Sequence, residues 1–161
     1  MIGLGVVVDT NVVLLDMAHS GLKRDAPGLK SSPVLVHKVI VDGGLRLGIS
    51  REVLREYKAL LDKKGVGGAY VTLVVRRLSE LRTKGQLVRS NPRVVDDKPI
   101  DIKEKDRHLV TCVKGIRGSV IVTLDGSHLL NPDKTEHLRN EHSIDVMRPE
   151  DFVRKYQNRP K

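Results

Sequence analysis

The hydrophobic pattern begins with a short apolar run, residues 6–8, that leads directly into Asp9. A run with no polar alternation is typical of a strand buried on both faces, as in the middle of a parallel sheet. A second run, residues 119–123, is rich in β-branched residues and is followed by Asp125. Both runs predict central strands, each with an aspartate shortly after its carboxyl end.

The segments between and after these strands contain patterns that are typical of helices. Ser31 and Ser32 before Pro33 predict the start of a helix that stops at Gly43 and Gly44. We further predict helices over about residues 50–63, 69–84 and 103–114 and from Pro149 onward, and strands over residues 45–49 and near residues 144–147. The two prolines of residues 90–99 predict a loop around a short strand at residues 94–95, and a polar, charged segment leads to the last strand.

Strands that alternate with helices predict an α/β fold, in which helices cover both faces of a parallel sheet. The 161 residues contain no internal repeat and no linker long enough to divide them, so we predict one domain over residues 1–161. In open sheets of this kind, ligands bind outside the carboxyl ends of the strands. Asp9 and Asp125 are both predicted to lie at that edge.

Composition narrows the function classes. A single cysteine, Cys112, excludes a disulfide framework and a zinc ribbon, and we expect a cytoplasmic protein. Residues 2–8 lack a basic leader, and no apolar run approaches the roughly 20 residues of a membrane helix, so we expect neither a signal peptide nor a membrane partner. The net charge of +9 favours a polyanion such as nucleic acid, and the alternative is a basic surface that serves solubility. Because only four residues are aromatic, phosphate contacts would dominate over base stacking.

Two carboxylates are candidates near the first strand and in the helix after Ser50. Asp9 is followed by Thr10 and Asn11, which can hold a carboxylate by hydrogen bonds; a helix cap is the alternative. At about 100° per residue, Glu56 lies at the edge of the apolar helix face, whereas Glu52 points away and has Arg55 three residues on. The alternative is that the Glu56 side chain is simply exposed to solvent. The apolar face consists of Val53, Leu54, Tyr57, Leu60 and Leu61.

Asp106 shares one helix face with Leu109, Val110 and Val113, spaced as i, i+3, i+4 and i+7. A charge on an apolar stripe is costly unless it is paired, hydrogen-bonded or bound to metal. A first-turn aspartate that faces water is the alternative, and Asp101 and Glu104 compete for the same role. Asp125, followed by Gly126 and Ser127, is also compatible with simple turn chemistry.

Four carboxylates at one sheet edge would repel one another without a cation, so the cluster predicts a bound cation as cofactor. Mg²⁺ and Mn²⁺ prefer such oxygen ligands and support hydrolysis of a phosphodiester. The six histidines offer no obvious metal-binding pair, since even His137 and His142 are five residues apart. We therefore expect surface or core roles for them.

Five short motifs, in order, resemble those of the PIN-domain nucleases. They are Val-Val-Asp-Thr-Asn ending at Asn11, Ser50 followed by Glu56, Lys105-Asp106 at a helix start, Ile-Val-Thr-Leu-Asp ending at Asp125, and Arg-Pro-Glu-Asp-Phe ending at Phe152. The resemblance spans nearly the whole chain. It implies a three-layer sandwich with a central parallel sheet of about five strands, in which Asp9, Glu56, Asp106 and Asp125 bind Mg²⁺ or Mn²⁺ and cut single-stranded or structured RNA.

The resemblance also implies supporting polar residues, to which we assign Asn11, Thr123 and Ser127. Related proteins include toxins of toxin–antitoxin pairs and enzymes of RNA processing, and homodimers are frequent among them, so an antitoxin protein and a second copy are expected partners besides RNA. The long loop between residues 90 and 103 departs from the family pattern and leaves Asp101 open as the third acid. We expect the phosphate contacts among Arg51, Arg55, Lys58, Arg76, Arg77 and Arg82.

Two other functions compete with the nuclease. A phosphatase of the haloacid dehalogenase type needs a second aspartate two residues after the first, and Asn11 occupies that position. A non-catalytic RNA-binding domain of the same fold is the stronger alternative, because charge and fold would persist without catalysis. The presence of all four acids argues against it.

Overall fold

The computed structural model describes residues 3–12, 33–62, 68–126 and 128–158, and it has an α/β fold. Five strands form one sheet in which every neighbouring pair is parallel. Helices flank this sheet in a three-layer arrangement, which confirms the predicted fold class. The strands are β1 (Gly5–Val8), β2 (Arg46–Ile49), β3 (Leu87–Arg89), β4 (Val120–Val122) and β5 (Asp145–Met147).

Two of the longer helices begin at a residue whose side chain caps the helix. The Ser50 hydroxyl accepts a hydrogen bond from the Val53 amide at 3.1 Å, and the Asn131 side chain accepts one from the Asp133 amide at 3.0 Å. Residues 10–12 are also helical. The longer helices are α1 (Pro33–Asp42), α2 (Arg51–Leu61), α3 (Gly68–Thr83), α4 (Glu104–Gly115), α5 (Pro132–His142) and α6 (Pro149–Tyr156).

The strand order is β3-β2-β1-β4-β5. The chain moves from β1 outward to β3 and then returns to the other side of β1 to form β4 and β5. The order therefore reverses between β1 and β4, which are paired from Val6 with Val120 to Val8 with Val122. In open α/β sheets this switch point is where ligands bind, outside the carboxyl ends of the strands.

Two local predictions differ from the structure. The predicted strand at residues 94–95 is wrong: Pro92–Val94 form a short 3-10 helix capped by the Asn91 side chain, and the edge strand is β3, just before it. Only three half-buried or exposed residues make up β3, which is too few for a recognisable alternation. Helix α5 was not predicted either, because Leu138 is its only buried residue and it has no apolar stripe.

The core lies on both faces of the central strands. All residues of β1 and β4 are buried, as their unbroken apolar runs predicted. Helix α4 packs against β1, β2 and β4 and also contacts α2, so the helices that carry Asp106 and Glu56 lie side by side. None of the helices in the described part of the chain is long and apolar enough to cross a membrane.

Polar contacts fix the segment that leads into α4. The Lys114 ammonium lies 2.6 Å from the Asp96 carboxylate, and His142 Nε2 lies 3.1 Å from the Pro99 carbonyl oxygen. The Asp101 amide donates to His137 Nε2 at 3.1 Å. His137 and His142 thus have structural roles on α5, and they help to hold the start of α4 in register.

A buried tyrosine ties α2 to the end of β1. The Tyr57 side chain is 3% exposed, and its hydroxyl donates to the Val8 carbonyl oxygen at 2.6 Å. Burial raises the pKa of this phenol well above its usual value. Tyr57 therefore positions the helix of Glu56 relative to the strand that ends at Asp9.

We expect Tyr57→Phe to lower the free energy of unfolding by about 1–3 kcal/mol, because the Val8 carbonyl would lose its partner in a dry site. Urea unfolding followed by circular dichroism measures the change. An unfolding midpoint for Tyr57→Phe equal to that of the unaltered protein would show that the hydrogen bond contributes nothing to stability.

Candidate active site

Asp9 and Thr123 join the two strands at the switch point. Asp9 follows β1 directly, and its amide donates to the Val122 carbonyl oxygen at 2.9 Å. Its Oδ2 accepts a hydrogen bond of 2.7 Å from the Thr123 hydroxyl, which is fully buried just after β4. Asp9 was predicted at this edge, and the family resemblance implied Thr123 as a supporting residue; their side chains are in direct contact.

The Asp9 carboxylate is partly desolvated and lies near other acids. Burial raises its pKa, the hydrogen bonds from Thr123 and from the Thr10 amide (2.8 Å) lower it, and the charges of Glu56 and Asp106 raise it again. The net direction is upward. Asp9 therefore lies within electrostatic range of two of the three other predicted acids.

The Glu56 carboxylate contacts the side chains of Thr10 and His108. The Thr10 hydroxyl donates to Glu56 Oε2 at 2.9 Å, and His108 Nε2 lies 2.9 Å from the same oxygen without the alignment of a hydrogen bond. The Glu56 side chain is 43% exposed, so it borders the core rather than entering it. Its neighbour Glu52 is exposed, as helix geometry predicted.

Asp106 is buried on the apolar stripe of α4. It is 8% exposed, and Leu109, Val110 and Val113 are at most 1% exposed, so the predicted helix register is confirmed. Its Oδ2 is buried and has no hydrogen-bond partner among the residues that the structure describes. Burial first and the charge of Asp125 second raise its pKa.

Asp101 lies outside this cluster. Its side chain is 77% exposed and pairs with Lys134 at 3.1 Å. Helix α4 begins at Glu104, three residues further along the chain, so Asp101 precedes the helix and is not part of the buried stripe. The geometry therefore favours Asp106 as the third acid of the cluster.

Asp125 completes the cluster from the turn after β4. Its amide donates to the Thr123 hydroxyl at 3.0 Å, and its Oδ1 accepts from the His128 amide at 3.2 Å. The turn chemistry that the sequence offered as an alternative is thus present. Thr123 contacts both Asp9 and Asp125, and this single hydroxyl connects the two acids that follow β1 and β4.

The supporting residues differ in part from the predicted set. Thr123 lies at the site, whereas Asn11 is exposed and Ser127 falls outside the described residues. Of the two residues that the sequence offered for holding a carboxylate, Thr10 and Asn11, it is Thr10 that makes such contacts: its amide donates to Asp9 and its hydroxyl to Glu56. His108 was expected to have a surface or core role, and only the packing of α4 beside α2 reveals its contact with Glu56.

The donor set of the cluster suits a hard divalent cation. All four candidate ligands are carboxylates, and Asp106 Oδ2 is a buried acceptor that no described residue donates to, which a cation would satisfy. In the part of the chain that the structure describes, no three histidine, cysteine or carboxylate side chains form a ready-made metal site.

Comparison with protein-family models and with curated proteins yields no match to this sequence. The resemblance to PIN-domain nucleases rests on the short motifs in the chain alone. The function is accordingly inferred from the chemistry of the acidic cluster and of the basic residues around it.

The predicted phosphate contacts fall into two groups. Arg51, Arg55 and Lys58 are exposed on α2, the helix that carries Glu56. The other three lie on α3, where Arg77 forms an ion pair with Glu80 at 3.4 Å while Arg76 and Arg82 are exposed. Only the cations of α2 share an element with an acid of the cluster.

Proposed function

We propose that this protein is a divalent-metal-dependent endoribonuclease that hydrolyses phosphodiester bonds of RNA at the cluster of Asp9, Glu56, Asp106 and Asp125. The observation that carries the proposal is the buried Asp106 carboxylate, which has an oxygen without a hydrogen-bond partner among the described residues and lies near other acids. Burying a charge in this way costs free energy. Such a cost is characteristic of sites in which a bound ligand supplies the counter-charge.

The roles of the residues follow from their burial and contacts. Asp9 and Asp106, which are the more desolvated acids, would hold Mg²⁺ or Mn²⁺ with Asp125. A bound divalent cation would activate water near neutral pH and neutralise the charge that develops on the phosphate. Thr123 orients Asp9, and Thr10 orients Glu56, the half-exposed acid that a substrate can approach from solvent.

RNA as the substrate is supported by charge and by the sequence motifs. The chain has a net charge of +9, and Arg51, Arg55 and Lys58 are exposed on α2, the helix that carries Glu56. The motif resemblance to PIN-domain nucleases points to RNA rather than DNA. A role as a toxin with an antitoxin partner, and assembly as a homodimer, belong to the same proposal and rest on that resemblance alone.

One observation favours the alternative of a non-catalytic RNA-binding domain. Among the described residues, no three histidine, cysteine or carboxylate side chains form a ready-made metal site. In that alternative the basic surface would bind RNA and the carboxylates would be inert. The two functions differ in whether RNA is cut.

The test incubates a panel of labelled RNAs, single-stranded and structured, with the protein and either Mg²⁺, Mn²⁺ or EDTA. We expect cleavage with either metal and none with EDTA, because the acids alone provide no Lewis acid. Asp9→Asn, purified in parallel, excludes a contaminating nuclease. Intact RNA throughout, from folded protein with metal present, would refute the nuclease and favour the RNA-binding domain.

A further inference from the structure

Two connected cavities run along α2 on the side of the sheet where β2 and β3 end. The first, of about 410 Å³, is lined in part by Ser90, His108 and Thr111. The second, of about 550 Å³, is lined in part by Leu54, Arg55 and Lys58. Because Ser50, Arg51 and Arg89 line both, the cavities form one continuous depression, which we call the α2 groove.

The α2 groove begins next to the acidic cluster. His108 lines its first cavity, and His108 Nε2 lies 2.9 Å from Glu56 Oε2. A ligand in that cavity would therefore be one side chain away from the acids. The second cavity continues away from them along α2, past Arg55 and Lys58.

Four exposed cations line the groove: Arg51, Arg55, Lys58 and Arg89. The ion pairs that the structure describes involve none of them, although exposed cations elsewhere are paired, such as Lys38 with Asp42 and Arg139 with Asp145. Glu52 is the only carboxylate among the described residues that line the groove. Like charges gathered without partners repel one another, and an anion relieves that repulsion.

The arrangement fits a chain of phosphates better than a single anion. The cations are spread along two connected cavities rather than directed at one point. Leu54, expected in the core, is instead 40% exposed and lines the second cavity, where it offers an apolar surface to a ribose or base. Single strands are typically bound in such positively charged grooves that follow the backbone.

We propose that the α2 groove binds the phosphates of single-stranded RNA adjacent to the bond that is cut, with Arg51 and Arg89 contacting the phosphates nearest to the acidic cluster. This proposal rests on the proposed function, because it takes the acidic cluster as the position at which the RNA strand is cut. Arg89 was not among the predicted contacts, since it belongs to β3, which the sequence did not reveal. The groove is thus lined by the three predicted cations of α2 and by Arg89, and not by the predicted cations of α3.

The experiment measures binding without cleavage. Asp9→Asn and the unaltered protein, both in EDTA, are titrated against a fluorescent single-stranded RNA of about 12 nucleotides, and anisotropy is recorded between about 50 and 200 mM salt. For single strands, each phosphate contact contributes about 0.7 to the slope of log K against log salt. We expect Arg89→Gln to reduce that slope by about 0.7 and the Arg51→Gln, Arg89→Gln double variant to reduce it by about 1.4.

Arg117→Gln is the matched control, because it removes the same charge at the other end of the strands. Arg117 is exposed and lies between α4 and the start of β4. Its slope and affinity should equal those of the parent. Slopes for Arg89→Gln and the double variant that match Arg117→Gln would overturn the proposal. Tighter binding of duplex RNA, or equal competition by poly-glutamate at matched charge, would also overturn it.

These outcomes are separable from the nuclease test. RNA bound in the groove by a folded protein that never cuts it would refute the proposed function and support the groove. RNA cleavage that is unaffected by Arg51→Gln and Arg89→Gln, with unchanged KM, would support the nuclease and refute the groove.

Discussion

Asp106→Asn is expected to lower RNA cleavage by about 100-fold or more and, in EDTA, to raise the free energy of unfolding by about 1 kcal/mol. Both changes have one cause. The buried Asp106 carboxylate has an unpartnered oxygen and lies near the charge of Asp125, so it costs stability when no cation is bound. Asparagine occupies nearly the same volume without the charge, but it is a poor ligand for a hard divalent ion.

The measurements are urea unfolding in EDTA and thermal unfolding with added Mg²⁺ or Mn²⁺. A ligand that binds only the folded state raises the melting temperature. We expect the metal to stabilise the unaltered protein and to have much less effect on Asp106→Asn. This readout does not depend on finding an RNA that the protein cuts.

Asp101→Asn is the control for this prediction. Asp101 is exposed and pairs with Lys134, and exposed ion pairs contribute little to stability. The variant should keep its cleavage rate and its response to metal. If Asp101→Asn lost cleavage while Asp106→Asn retained it, the acidic cluster described here would not be the site of catalysis.

Thr123→Val is expected to reduce cleavage by about 10–100-fold and to destabilise the fold by about 1–3 kcal/mol. Valine has nearly the shape of threonine but lacks the hydroxyl. The change would leave Asp9 Oδ2 without its donor and the Asp125 amide without its acceptor, in a position that is fully buried. Both acids at the switch point would lose their orientation.

Thr123→Ser keeps the hydroxyl and removes only a methyl group, so it should recover most of the activity. The loss in stability that remains in the serine variant measures packing rather than hydrogen bonding. Cleavage assays at several metal concentrations separate weaker metal binding from a slower reaction. Equal activity of the valine and serine variants would mean that the hydroxyl does not position the acids.

The acids of the proposed site lower the stability of the folded chain, and their proposed function requires them to stay where they are. Asp9 and Asp106 are desolvated near like charges, and the pKa of each is raised by burial first and by neighbouring acids afterwards. Such groups destabilise the folded chain on their own. Tyr57, Thr10 and Thr123 offset part of that cost by fixing the elements that carry the acids.

Much of the fold could be predicted because it depends on local pattern. The unbroken apolar runs of β1 and β4 indicated central strands, and the i, i+3, i+4, i+7 spacing placed Asp106 on the buried face of α4. The prediction failed where local pattern was weak. Strand β3 is short and half-exposed, and α5 buries a single side chain, so neither has a periodicity that stands out.

The sequence by itself determined which carboxylates approach the core and on which elements they lie. The tertiary structure alone decided which groups meet: Thr123 with Asp9 across 114 residues, Thr10 with Glu56 across 46, and Arg89 with the cations of α2. The physical reason is that these contacts depend on strand order and helix packing. Periodicity specifies which face of an element is buried, but not which element lies beside it.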